Sequence, residues 1–151
     1  MRRAGPPVKA LWGVRRKSLS LITTTAMLLT CDVADAGKAS DLAVQRFHEL
    51  FNNGAYVVIY QEASPEFRAS TPQARFVALL EAVRRKIGKV NGTERQSIHV
   101  FASTTANTAV TASYLTRFET GQAAETFRWV LTERMARLIN YDINSPDLIT
   151  R

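Results

Sequence analysis

Only one cysteine and two histidines occur among the 151 residues. A disulfide framework is therefore excluded, as are the multi-cysteine zinc motifs. His48 and His99 lie too far apart to form an H-x-H or H-E-x-x-H ligand pair, and no metal or cofactor is expected. Glycine and proline number seven and five, and neither G-x-G-x-x-G nor G-x-x-x-x-G-K is present, which removes both standard nucleotide loops. Long apolar runs are missing too. The 11 uncharged residues 19–29 are too few to span about 30 Å of hydrocarbon as a helix.

Acid is absent from the first 31 residues, which hold six of the 20 basic residues. Beyond them 14 basic residues face 13 acidic ones, so the net charge of +7 belongs almost wholly to the leader. Basic residues followed by a short apolar run form the pattern of an export signal. A nucleic-acid-binding arm is the competing reading, but Trp12 is its only aromatic, and no nucleic-acid partner is expected. Leu28-Leu29-Thr30-Cys31 resembles the lipobox of bacterial lipoproteins, with Thr30 where a smaller residue is usual. Ala34-Asp35-Ala36 fits an ordinary cleavage signal before Gly37. The reading is a signal over 1–31, lipidation at Cys31, a tether over 32–39 and one domain over 40–151. Anchorage on the periplasmic side of a bacterial membrane follows, with a soluble secreted form as the alternative.

Within 40–151, Ser40 reads as the cap of a helix with Val44, Phe47, Leu50 and Phe51 on one stripe, ending at Gly54. A short helix over 55–63 follows. Thr71-Pro72 opens another, whose stripe is Phe76, Leu79, Leu80, Val83 and Ile87; Arg84, Arg85 and Lys86 before Gly88 suit its negative end. After an Asn91-Gly92 turn the apolar period changes from 3.6 to 2. Strands are expected over 98–106, 109–120 and 124–133, with a last one placing Leu138, Asn140 and Asp142 on one face. Helices followed by antiparallel strands make an α+β domain.

The segment from Leu42 to about Ile143 resembles the NTF2-like, or cystatin-like, domains of exported bacterial proteins. The likeness lies in Phe47 and Leu50, the Gly54-x-Tyr56 step to Tyr60, the helix from Phe76 to Gly88, and strands with Trp129, Leu138 and Ile139-Asn140-Tyr141-Asp142-Ile143. It implies a curved sheet forming a cone whose pocket holds a ligand, pairs with a second copy or is filled by side chains. No catalytic acid–histidine dyad aligns, so an enzyme is not the favoured reading.

His48, between Phe47 and Glu49, reads as a surface or edge residue. His99 shares a strand face with Phe101, and with Asp142 it is the weak candidate for acid–base work if both enter the cone. Tyr56, Tyr60, Phe101, Tyr114 and Trp129 are candidates to line a ligand pocket. The leading expectation is a noncatalytic exported domain, tethered to the membrane, that pairs with itself or binds an envelope protein. The alternative is a small-molecule-binding or enzymatic cone around His99 and Asp142.

Overall fold

A computed structural model describes residues 31–102, 108–132 and 135–150. Helix α1 (Cys31–Asn52) is followed by α2 (Tyr56–Glu62), α3 (Pro65–Ser70) and α4 (Gln73–Ile87), then by strands β1 (Val90–Ala102), β2 (Thr108–Phe118), β3 (Gly121–Thr132) and β4 (Met135–Asn144), and by a closing turn of helix, α5 (Asp147–Thr150). The export signal expected over 1–31 falls outside the described residues, except that Cys31 is the first residue of α1. Among the described residues no helix is long and apolar enough to cross a membrane.

Helix α1 starts ten residues earlier than a cap at Ser40 would place it. Residues 32–39, read as a tether, form its first turns: their alanines favour helix, and Ala36 is buried. Ser40 is a fully buried mid-helix residue whose Oγ lies 3.0 Å from Tyr114 Oη, so its hydroxyl serves a tertiary contact instead of a cap. Thr71 likewise closes α3, and Pro72 flanks α4 with no side-chain cap. At the other end of α4 the expectation holds. Arg84, Arg85 and Lys86 occupy the last turn, and Gly88 takes φ 85°, where an added Cβ would also collide with the Glu119 side chain.

The four strands form one antiparallel sheet in sequential order, β1-β2-β3-β4. Its two outer strands do not meet. This overturns the cone: the sheet is neither closed nor strongly curled, and helices pack on one face of it. The physical reason is visible in the packing. Helix α1 crosses the sheet and touches all four strands, and Phe47, Phe51, Tyr114, Phe127 and Tyr141 fill the space a cone would enclose. Phe47 and Phe127 meet edge to face at 5.1 Å.

Alternation on β2 and β3 is regular, with Ala112, Tyr114, Thr116 and Phe118 inward, and Ala123, Glu125, Phe127 and Trp129 inward beside them. Two local departures separate sequence from structure. Asn91-Gly92 is no turn; it lies inside β1, where the pairing shifts register between Val90 and Gly92. Ile139 is an extra residue in β4, because Arg128 pairs with Asn140 while Trp129 pairs with Leu138. That bulge turns both Leu138 and Tyr141 inward and leaves Asn140 and Asp142 outside.

Candidate functional site

Side chains converge between α1 and the sheet in two places. Toward the β1 side, the inward stripe of α1 carries His48 one turn after Val44, and β3 carries Glu125 between the inward residues Ala123 and Phe127. Glu125 is 1% exposed and His48 6%. His48 Nε2 is 2.8 Å from Glu125 Oε2. Thr116 Oγ1 donates to the same oxygen at 2.5 Å, and Tyr141 Oη donates to Oε1 at 2.7 Å. Thr93 extends the chain to the β1 edge, 2.9 Å from Thr116. A buried carboxylate requires this: ionised, it only accepts, and each lone pair left unmatched in a dry interior is costly. Burial and the adjoining Glu125 hold the Tyr141 phenol well above its ordinary pKa.

Beside this cluster a shallow groove of about 460 Å³ runs past Asp41, His48, Asn52, Thr93 and Tyr114. Its polar atoms are largely engaged by the fold. Tyr114 Oη donates to Asp41 Oδ1 at 2.9 Å, Arg95 donates to Asp41 Oδ2 at 2.8 Å and to the Gly37 carbonyl at 3.0 Å, and Asn52 both donates to and accepts from Val90. Burial pushes the Tyr114 pKa up to about 12. The arrangement fastens α1 to the sheet.

Toward the strand tips the same interface is open. A groove of about 1,020 Å³ lies between the first half of α1 and the ends of β2, β3 and β4, with Leu42, Ala43, Leu131, Met135 and Ala136 on its walls. Leu42 is 67% exposed and Met135 53%. A chamber of about 60 Å³ shares Ala43, Glu62 and Ala136 with this groove and reaches Trp129. The Trp129 ring is 4% exposed and stacks on Phe127 at 5.4 Å, within 5° of parallel. Its indole N–H is buried and has no acceptor among the described residues.

The residues singled out from the sequence do not form one site. His99 and Asp142 are both exposed on the outer sheet face, one on each edge strand, three strand spacings apart and out of line, since His99 stands level with Asn140. Phe101 is 58% exposed on that same face. Tyr60 Oη donates to the carbonyls of Arg68 and Thr71, joining α2 to α3 and its exit, and Tyr56 packs beside Phe51. Tyr114 belongs to the Asp41 network and Trp129 to the chamber. Nothing is described of the Cys31 side chain. His48 and Glu125, the closest acid–histidine contact, were not among the candidates. Their signal was present in the pattern, because His48 falls on the Val44–Phe51 stripe and Glu125 alternates in phase with Phe127 and Trp129. Among the described residues no group of three or more His, Cys, Asp or Glu could hold a metal.

Compared with known proteins, the sequence matches no family model and no curated protein. The NTF2-like lipoprotein assignment thus has neither a cone nor a relative behind it, and it is withdrawn.

Proposed function

We propose that this is a noncatalytic binding domain, exported by its basic and apolar leader, that receives an apolar partner in the groove between α1 and the strand tips. The observation that carries the reading is the contrast in that groove's walls: Leu42 and Met135 are large apolar side chains left mostly in solvent, on either side of a cleft of about 1,020 Å³. Apolar exposure of that kind, rimmed by Asp35, Glu62 and Arg137, is the composition of a binding surface. The one buried acid–histidine cluster is, by contrast, taken up with holding α1 to the sheet.

Site-specific photocrosslinking in bacteria tests the reading, with the photoreactive residue at Leu42, at Met135, or at His99 on the outer face as control. The expected result is one partner, identified by mass, captured from Leu42 and Met135 but not from His99, in cells where the protein is recovered outside the cytoplasm. No capture above the His99 control, or a wholly cytoplasmic chain with Met1 intact, overturns it.

A further inference from the structure

Beyond the groove, we infer that the outer edge of β1 pairs with a second copy of this chain, the two β1 strands running antiparallel about a two-fold axis at Val100. The register fixes where the edge's backbone groups point. Glu119 N–H donates to the Lys89 carbonyl at 2.9 Å, so in the next pair, Val90 and Phe118, the N–H and C=O groups turn away from each other. Asn52 bears this out: it accepts from the Val90 N–H at 2.8 Å and donates to the Val90 carbonyl at 2.9 Å. Along β2, which pairs with β3 without a break, alternate residues from Phe118 back through Ala112, Val110 and Thr108 turn to β3. Their partners on β1 therefore turn outward, and beyond the second register shift these are Ile98, Val100 and Ala102. Among the described residues nothing donates to or accepts from the outward groups of these three.

Elsewhere the sheet's edges are guarded. On β4 the carbonyl of Leu138 accepts from the Ser64 N–H at 2.9 Å, and α3 packs against the strand. The first half of β1 has Asn52 on Val90, then two register shifts, with Glu94, Arg95 and Gln96 between them. Bulges and charges are what keep an edge from pairing. From 98 to 102 the register is regular, and the stretch holds no Lys, Arg, Asp or Glu.

That stretch is complementary to itself, which selects a second copy as its occupant. With the axis at Val100, Val100 meets its own copy and Ile98 meets Ala102, so all three unmatched residues exchange their bonds. An axis at His99 would leave Ala102 without a partner and set imidazole against imidazole. With the axis at Val100, His99 faces Phe101 of the other copy, a ring that is 58% exposed in the single chain. On the inner face Ile98 and Val100 are only half-buried and have apolar surface left to cover. A two-fold axis perpendicular to the sheet joins the two four-stranded sheets into one, with the helices of both copies on the same side.

Sedimentation of the purified full-length chain tests the pairing. The expected species is a dimer, and Val100→Pro should raise its dissociation constant about tenfold or more, since the proline removes an N–H at the axis. That N–H points away from β2, so the fold itself loses no ladder bond. Should the proline disturb the strand, His99→Asp with Phe101→Asp is a second route: both positions are exposed, and across the axis carboxylate would meet carboxylate. Disulfides read the register. In a Cys31→Ser background, Val100→Cys sets two thiols on residues whose Cα atoms lie about 5.5 Å apart, within reach of a disulfide, whereas His99→Cys leaves them about 7–8 Å apart, beyond it. Only the first should crosslink under a mild oxidant.

A chain that sediments as a monomer at every concentration overturns the inference, as does a dimer indifferent to both edge variants. Crosslinking of Val100→Cys to a different protein overturns the choice of a second copy, and crosslinking at His99→Cys alone overturns the register. None of these results bears on the groove, whose partner is captured from Leu42 and Met135; a product of two copies of this chain at His99 is the edge pair.

Discussion

The two ends of the interface between α1 and the sheet are built from opposite rules. At the His48 end a carboxylate is buried to 1% exposure and three donors surround it. At the Leu42 end apolar side chains stand in solvent and an indole N–H is buried without an acceptor among the described residues. One end has its polar groups matched internally and the other does not. Since a single helix spans both, the difference points to a division of labour: the matched end fixes the helix, and the unmatched end is left for something outside the chain.

The sharpest way to break the comparison is to unmatch the closed end. Glu125→Ala removes the acceptor of His48, Thr116 and Tyr141 together, and should cost about 3–5 kcal/mol, as breaking a buried pair from one side does. Urea unfolding measures it, with an unchanged m-value as the control that the unfolded state is the same. His48→Leu should cost less, about 1–3 kcal/mol, because two donors remain on the carboxylate. A double variant, His48→Leu with Glu125→Ala, should cost less than the two singles summed. A double variant as unstable as the sum of the singles would mean that the two residues act independently and that the network is not a unit.

The closed end also has a predictable alkaline limit. Burial raises the Tyr114 pKa to about 12 and that of Tyr141 well above 10. Both groups are neutral below their unfolded value of about 10, and their contribution is fully present there. Above pH 10 the unfolded chain releases protons that the folded chain retains, so stability falls as pH rises from about 10 toward 12. Unfolding followed across that window should show the decline, and Tyr141→Phe and Tyr114→Phe should each flatten it. A wild-type curve without slope above pH 10 would show that neither phenol is held in its neutral form by the fold.

The same contrast explains how much of the molecule was legible in its sequence. Helix α4 could be read from Phe76, Leu80, Val83, Ile87 and the stop at Gly88, since each signal there is local. The α+β order followed from the change of apolar period, although strand β1 begins at Val90, ahead of the expected Asn91-Gly92 turn. Ser40 misled because a serine before an acidic residue has the same appearance whether it caps a helix or sits inside one. Ile139 matters more: one inserted residue in β4 reverses every later side chain, so Asp142, which regular alternation puts on the face of Leu138, stands on the opposite face in the fold. Glu125 stands in phase with Phe127 and Trp129, where the alternation of β3 puts it in the core. Among the described residues it is the only acid buried in the core, and it accordingly has three hydrogen-bond partners.

At the open end the expected effects on stability are the smallest, and that is what makes them informative. Leu42 and Met135 make little buried contact, so Leu42→Ser and Met135→Ser should each move unfolding by no more than about 0.5 kcal/mol. The same substitutions should markedly reduce capture of the groove's partner, because they remove apolar surface that only the bound state buries. A residue kept for the fold shows the reverse pattern, with stability lost and binding lost in proportion. If Leu42→Ser destabilises the chain by as much as His48→Leu does, the two ends are one structural interface and the division of labour between them fails.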